Sequence, residues 1–235
     1  MMIAVTFALP AESKEFLRHL NNKSPTDYNG IKTIRGKIDD RAIEVLYTGV
    51  GETVCQQRVG KFLQGQQFDC LISTGFAGAL TDQVQAGDLL LAKNFSTVDL
   101  SERRSLFSSF PIHIAELLTV PALIDSSEER YKLALVSGAA AVDMETEFVA
   151  RACAAHAVPL LSLRVISDTP REPFPIPTKV LFDIKQQRTR ILKLATFLLA
   201  HPNRLPRLIK FARSIVQARK TLANALVTVL RSIEL

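Results

Sequence analysis

Apolar and polar positions along residues 1–170 fall into blocks whose length and period alternate. Short apolar runs of strand length are separated by segments in which apolar residues recur at helical spacing. The strand-like runs are 3–8, 31–38, 42–48, 70–73, 88–93 and 160–166, and the helix-like segments are 10–20, 53–64 and 146–156. Alternation of this kind indicates an α/β fold with a largely parallel central sheet.

The proline-rich segment 169–178 divides the chain. It contains Pro170, Pro173, Pro175 and Pro177, and proline interrupts both helices and central strands. We therefore predict a main domain over residues 1–178, which the motifs considered below would make the catalytic one. Residues 179–235 would form a helical extension that is packed on this domain or appended to it.

The tail carries an apolar stripe with heptad-like spacing, interrupted by Arg219. Its members are Leu205, Ile209, Ala212, Val216, Ala223, Leu226, Leu230 and Ile233. Most basic residues of the tail fall away from this stripe, so we predict a basic amphipathic helix with a break near Pro206.

Charge is distributed unevenly over the chain. Residues 185–233 contain 11 Lys or Arg and no acid, whereas the remainder carries 18 basic against 23 acidic residues, although the whole chain has a net charge of +6. A basic tail on a mildly acidic body indicates an anionic partner, either a lipid surface or nucleic acid. Few aromatic residues in the tail argue against stacking on bases, so nucleic acid is the less favoured partner.

Composition and cysteine usage indicate a cytoplasmic globular protein. Hydrophobic residues make up 47% of the chain, enough for a sizeable core. Cys55, Cys70 and Cys153 are scattered, without metal-ligand spacing, as expected in a reducing compartment. Residues 1–10 lack the basic start of a signal peptide, and no apolar run is long enough to suggest a spanning helix.

Two glycine-containing stretches follow strand-like runs, at 49–51 and 75–78. Glycine allows a ligand to approach the backbone closely, and free amides there can hold an anion. Neither stretch matches the dinucleotide fingerprint or a Walker loop, so tight turns remain the alternative interpretation.

Three acids stand at the ends of predicted elements. Glu12 follows the first strand, Glu145 begins a helix, and Asp168 closes an apolar strand. Favourable interaction with a helix dipole would explain Glu12 and Glu145 without a function, and Met144 could simply be a core residue. Asp168 is harder to explain in this way, because a carboxylate at the end of a buried strand needs a partner or a role.

Taken together, these motifs resemble the purine nucleoside phosphorylase and nucleosidase superfamily, on the methylthioadenosine/S-adenosylhomocysteine nucleosidase branch. The matching segments, in order, are 8–12, 49–51, 73–78, 142–145 and 164–168. The resemblance covers about residues 1–170 and implies a three-layer αβα fold with a central mixed sheet. The tail resembles the hopanoid-associated phosphorylase subgroup.

The resemblance implies cleavage of the N-glycosidic bond of an adenosine-type purine nucleoside. Asp168 would protonate N7 of the base and would need a pKa raised by burial. Glu145 would stay ionised and bind the ribose hydroxyls, whereas Glu12 would activate water. Met144 would pack on the sugar and Ser167 would orient Asp168 or the base.

The remaining implied contacts to substrate come from Gly51, Gly75 and Phe76. No metal or cofactor is implied, although inorganic phosphate remains open as a co-substrate. Ser73 and Phe76 stand where the phosphorylases carry an Arg and a Ser for phosphate, which favours water as the acceptor. The region 99–142 is shorter than in the nucleosidases, so the pocket is expected to admit a bulky 5′ group.

Three functions follow from these observations. The first is cleavage of a nucleoside with a large apolar 5′ group, such as adenosylhopane, by a protein whose tail touches the inner membrane face. Whichever function applies, the resemblance implies a homo-oligomer. The second is a conventional methylthioadenosine/S-adenosylhomocysteine nucleosidase whose tail packs on the body. The third is an inactive family member that binds nucleic acid through the tail.

Overall fold

One large mixed β-sheet organises the chain. The computed structural model describes residues 2–98, 110–175, 182–183, 188–189, 196–197 and 200–232. The sheet strands are β1 (Met2–Phe7), β2 (Asn21–Tyr28), β3 (Ile31–Ile38), β4 (Arg41–Tyr47), β5 (Cys70–Ala79), β6 (Leu89–Ala92), β7 (Ile112–Ala115), β8 (Leu117–Thr119), β9 (Ala141–Asp143) and β10 (Leu160–Asp168). Two further short strands, β11 (Phe182–Asp183) and β12 (Arg188–Thr189), pair with each other.

The centre of the sheet is parallel and its margins are antiparallel. The strand order is β2-β3-β4-β1-β5-β10-β6-β7, and β9 pairs with the end of β5 and with β8. Strands β4, β1, β5 and β10 run parallel to one another. Their carboxyl ends therefore meet at one edge of the sheet, where open α/β sheets bind ligands.

Helices cover both faces of the sheet. They are α1 (Glu52–Leu63), α2 (Ser127–Ser137), α3 (Thr146–Ala155) and α4 (Leu205–Ser232), with short 3₁₀ turns at Phe16–His19 and Pro202–Arg204. Along β1, Ile3 and Val5 pack in a cluster with α4, whereas Ala4 packs in a cluster with α1 and α3. This alternation places helices on opposite faces and confirms the predicted three-layer αβα fold.

The predicted helix over residues 10–20 is wrong. The segment forms turns and only a short 3₁₀ helix, Phe16–His19. The side chain of Glu12 accepts hydrogen bonds from the backbone N–H groups of Ala8 and Leu9, and Ser13 Oγ donates to the carbonyl of Pro10. Local bonds between side chains and backbone compete with a helix, although Phe16 is still buried as the apolar pattern predicts.

The second glycine stretch is strand rather than turn. β5 continues through residues 74–79, and Gly75 is in register with Arg164 of the neighbouring strand. The sequence pattern also misses β2, whose residues are mostly exposed and polar, as expected for a strand at the edge of a sheet. The short strands β7 and β8 and the helix α2 were not identified either.

The basic amphipathic tail helix is confirmed as α4. Its C-terminal half buries residues such as Leu222 and Leu226 in the core shared with the sheet. No break occurs at Pro206, because the helix begins at Leu205 and proline is tolerated in a first turn. The predicted boundary at residue 178 lies outside the described residues.

The N-terminal half of α4 is packed differently from the prediction. Leu208, Phe211 and Ile215 are the half-buried apolar side chains there, whereas Leu205, Ile209 and Val216 of the predicted stripe are 46%, 45% and 39% exposed. In this half of the helix, the stripe therefore forms a second apolar face that the body does not cover. Within the described residues, no helix has the length and apolar character needed to cross a membrane.

Candidate active site

A small cavity lies at the edge where the parallel strands end. Its volume is about 10 Å³, room for the centre of about one water molecule. The lining residues are Thr6, Phe7, Ala8, Glu12, Thr48, Ser73, Thr74, Gly75, Phe76, Glu145, Val149 and Arg164. The cavity therefore unites four of the predicted site residues, Glu12, Gly75, Phe76 and Glu145.

Glu12 is held in this cavity by the turn after β1. Its Oε2 accepts the N–H of Ala8 at 2.9 Å and that of Leu9 at 3.3 Å. A Cβ added at Gly75 would lie 3.2 Å from Oε2, and Gly75 has φ +151°, so a side chain there would crowd this oxygen. Burial raises the pKa of Glu12 to about 7, although these two backbone hydrogen bonds partly counter it.

Glu145 stands directly before α3 and faces the same cavity. Its Oε1 accepts the backbone N–H of Gly51, the residue that precedes α1, at 3.2 Å. Burial and, after it, the negative charges of Asp143 and Glu12 raise the pKa of Glu145 to about 8. The prediction that Glu145 is ionised on the sugar therefore stays a prediction, and it requires substrate binding to lower this pKa.

Arg164 is the cation of this group and was missed as a site residue. Its Nε donates to Asp143 Oδ2 at 3.0 Å, and its Nη2 donates to Ser73 Oγ at 2.8 Å and to Thr146 Oγ1 at 2.5 Å. An arginine within an otherwise apolar strand costs free energy unless it is paired. That rule could have identified Arg164 from the run LLSLRVISD.

Thr74 presents an unsatisfied hydroxyl in the cavity wall. Its side chain is 3% exposed, and its Oγ1 has no hydrogen-bond partner among the described residues. Buried polar groups are nearly always satisfied, so an orphan of this kind indicates an absent water or ligand. Phe76, two residues on, lines the same cavity and packs its ring against the core.

Asp168 and Ser167 form a second cluster at the end of β10. Asp168 is buried, as predicted, and its Oδ1 accepts a short hydrogen bond from Ser167 Oγ. Its Oδ2 forms an ion pair with Arg130 of α2, a residue that the sequence did not single out. Asp168 does not line the small cavity, but it is in register with Gly78, three residues beyond Gly75 on β5.

The remaining predicted contacts flank these two clusters. Met144 is buried and lies between Asp143 and Glu145 in the chain, but it is not part of the cavity wall. Gly51 reaches the site through its backbone alone. Among the described residues, no group of three His, Cys, Asp or Glu side chains could hold a metal ion.

The sequence and the fold are similar to those of known proteins. A sequence model of the phosphorylase superfamily matches residues 2–116 and 97–200. The 5′-methylthioadenosine/S-adenosylhomocysteine nucleosidase of Glaesserella parasuis is 24% identical over 202 residues, covering 72% of this chain and 86% of that protein. The protein of the same name from Haemophilus ducreyi is 25% identical over 193 residues, covering 67% and 81%.

Solved structures show the same architecture. The 5′-methylthioadenosine/S-adenosyl homocysteine nucleosidase of Campylobacter jejuni superposes with a TM-score of 0.71 at 18% identity, covering 99% of this chain and 100% of that one. Futalosine hydrolase of Helicobacter pylori superposes with a TM-score of 0.70 at 18% identity, covering 99% of this chain and 98% of that one. The likeness to these structures extends over the fold, and the sequence match extends over most of the chain. This chain therefore belongs to the phosphorylase superfamily.

Proposed function

We propose that this protein hydrolyses the N-glycosidic bond of an adenosine-type purine nucleoside and releases the free base. The observation that carries the proposal is a carboxyl group with a pKa of about 7, Glu12, in a cavity with room for about one water. A general base works best when its pKa lies near the working pH. Glu12 would take a proton from the attacking water.

Leaving-group activation is the second part of the proposed mechanism. Water attacks C1′ of the ribose, the bond from C1′ to N9 breaks with its electron pair going to the base, and Asp168 supplies a proton to N7. Ser167, which donates to Asp168, would keep the carboxyl group in place. General acid catalysis of this kind contributes about 10²- to 10⁴-fold.

Glu145 and Met144 would hold the sugar. Glu145 is buried, and the Gly51 N–H fixes one of its oxygens, which leaves the other oxygen for ribose hydroxyls. As positive charge develops on the sugar, a carboxylate nearby would stabilise the transition state. Because the pKa of Glu145 is raised, substrate binding would have to favour its ionised form.

The site favours water over phosphate as the acceptor. Two carboxyl groups, Glu12 and Glu145, line the cavity, and both would repel a phosphate dianion when ionised. Arg164 is engaged with Asp143, Ser73, Thr146 and the Leu163 carbonyl. Four of its five N–H donors are thus used within the protein. We propose no cofactor and no phosphate co-substrate.

Two versions of this proposal differ in the 5′ group of the substrate. The curated relatives are named for methylthioadenosine and S-adenosylhomocysteine, which supports a conventional nucleosidase. An uncovered apolar stripe on a basic helix instead supports a substrate with a large apolar 5′ group, such as adenosylhopane. An inactive, nucleic-acid-binding protein is least supported, because Glu12, Glu145 and Asp168 are all in place.

The exposed part of α4 supports contact with anionic lipid. Leu205, Ile209 and Val216 recur at spacings of four and seven on one side of the helix. Arg207, Lys210 and Arg213 lie within the same turns, and no acid is present in the helix. A basic residue near an anionic membrane contributes about 1 kcal/mol. We propose a cytoplasmic homo-oligomer that touches the inner membrane face through this stripe.

A nucleoside panel tests the proposed reaction. The full chain is incubated with methylthioadenosine, S-adenosylhomocysteine, adenosine, inosine and an adenosine derivative with a long 5′ alkyl group, and free base is measured by chromatography. Release of adenine is expected. Preference for the alkyl derivative would favour a substrate with a large apolar 5′ group. Preference for methylthioadenosine would favour a conventional nucleosidase. No base release from any substrate would contradict the proposal.

A further inference from the structure

We infer that Arg130 is a positioning residue for Asp168, one that fixes the carboxyl group and makes it a stronger acid towards the departing base. The inference rests on the proposed function, in which Asp168 protonates the base. It concerns a residue of α2 that none of the sequence motifs contains.

Arg130 joins three separate segments of the chain. Its Nε donates to the carbonyl of Ile124 at 3.0 Å, and its Nη1 donates to the carbonyl of Ala79 at 3.1 Å. Its Nη2 donates to Asp168 Oδ2 in the ion pair. The side chain is 2% exposed, so a guanidinium with no acidic partner would be very costly there.

Both oxygens of Asp168 are engaged, each with a different partner. Ser167 Oγ donates to Oδ1 and Arg130 donates to Oδ2. Gly78 permits this arrangement, because a Cβ at that position would lie 3.2 Å from both Arg130 Nη1 and Asp168 Oδ2. The carboxyl plane is therefore fixed before substrate arrives, and each oxygen keeps a lone pair that can carry the proton donated to N7 of the base.

The positive charge of Arg130 has two opposite effects on acid catalysis. It stabilises the carboxylate that forms when the proton passes to N7, which makes the carboxyl group a better donor. It also favours the ionised form before the reaction, so fewer molecules carry the proton at high pH. Loss of this charge should lower the maximal rate and move the loss of activity at alkaline pH to higher pH.

The other charged groups of the site are separate from this pair. Among the described residues, Arg130 is the ion-pair partner of Asp168, and the β5 residues packed against the pair, Gly78 and Ala79, carry no charge. Glu12, Glu145 and Asp143 are influenced by Arg164 instead. The pKa values of Glu12 and Glu145 should therefore not change when Arg130 is replaced.

The test compares pH profiles of kcat/KM for base release from methylthioadenosine, or from the best substrate of the panel, by the full chain. Arg130→Gln keeps hydrogen-bond donors but loses the charge. Arg130→Lys keeps the charge but loses the planar guanidinium group that donates to three partners at once. The matched control is Arg171→Gln, because Arg171 forms an exposed ion pair with Asp82. Circular dichroism confirms folding of each variant.

In Arg130→Gln, we expect the alkaline loss of activity to move up by about one pH unit or more and the maximal rate to fall about 10-fold. Arg130→Lys should keep the wild-type pH position with a lowered kcat, and Arg171→Gln should match the wild type. A folded Arg130→Gln protein with an unmoved profile would overturn the inference.

If Arg130→Gln does not fold, Arg130→Lys decides the matter, because an unchanged kcat or a displaced profile in that variant also overturns the inference. A wild-type chain that releases no base from any nucleoside removes the proposed function itself and the inference with it. If the wild-type chain releases base but the pH profile of Arg130→Gln matches that of the wild type, only the role of Arg130 is excluded.

Discussion

The backbone N–H of Gly51 donates a hydrogen bond of 3.2 Å to Oε1 of Glu145. This bond joins the loop between β4 and α1 to the start of α3, and it favours the ionised carboxylate. Burial and the neighbouring acids outweigh it, since the pKa of Glu145 is raised to about 8. The candidate site thus contains two carboxyl groups, Glu12 and Glu145, whose pKa values are raised.

These raised pKa values predict a pH-dependent stability. The folded pKa values of Glu12 and Glu145 are about 7 and about 8, above the ordinary value of 4.5. The folded state therefore binds more protons than the unfolded state over this range, and stability falls as pH rises from 4.5 to about 8. Glu145→Gln removes one ionisation, so it should be more stable than the wild type at about pH 9.

Thermal unfolding midpoints at acidic and alkaline pH measure this effect. The matched control is Glu172→Gln, because Glu172 is exposed and pairs with Lys210 at the surface. The control should show the same pH dependence as the wild type. If Glu145→Gln loses as much stability as the wild type between acidic and alkaline pH, the raised pKa is refuted.

Asp168→Asn should nearly abolish base release. The amide is close in size to the carboxyl group and keeps an oxygen for Arg130, but it cannot supply a proton to N7. A loss of about 10²- to 10⁴-fold in kcat is expected, measured as initial rates of base release. Asp82→Asn, which alters an exposed ion pair, serves as the control; wild-type activity in Asp168→Asn would exclude Asp168 as the acid.

Thr74→Val should lower the rate without lowering stability. The hydroxyl of Thr74 has no partner among the described residues, so its removal costs no internal hydrogen bond, whereas a water held by it would be lost. Because valine is similar in shape to threonine, we expect an equal or higher unfolding midpoint and a fall in kcat of about 10-fold. Initial rates and thermal unfolding measure the two effects.

Ser162→Ala is the control for Thr74→Val, because Ser162 Oγ is also buried and unpartnered among the described residues but does not line the cavity. It should leave the rate unchanged. Equal activity of Thr74→Val and the wild type would show that the Thr74 hydroxyl does not hold the attacking water.

Much of the fold was predictable because the buried strands have unambiguous patterns. β1 is a nearly continuous apolar run, and the first seven residues of β10 are mostly apolar, as buried parallel strands should be. β2 was missed because its exposed, polar residues resemble a loop. The helix over residues 10–20 failed because the Glu12 side chain takes the backbone N–H groups of the turn, a competition that residue spacing does not reveal.

The sequence predicted those residues of the candidate site that lie in the motifs, but it did not predict residues contributed by other segments. Glu12, Gly75, Phe76 and Glu145 meet at one cavity, in agreement with the order of the motifs. Arg130 reaches Asp168 from α2, 38 positions away, and an arginine in an otherwise ordinary helix carries no sequence signal. The pKa of Glu145 also depends on the packed geometry, because burial and the neighbouring acids raise it, and residue spacing does not reveal either effect.

The exposed stripe of α4 predicts binding to anionic lipid. Replacement of Leu205, Ile209 and Val216 by Ser should reduce association of the full chain with vesicles of anionic phospholipid in a flotation assay. Replacement of Thr221, Asn224 and Thr228 by Ala, in the packed half of the helix, is the control and should leave association unchanged. If the wild-type chain does not float with anionic vesicles, the membrane contact is ruled out.

Identification of the sugar product tests the central claim most directly. The full chain is incubated with its best nucleoside in saturating phosphate, and the products are identified by mass spectrometry. Because Glu12 faces a cavity with room for about one water, we predict free base and a free ribosyl sugar, at a rate independent of phosphate. A sugar 1-phosphate formed at a rate that requires phosphate would contradict this account.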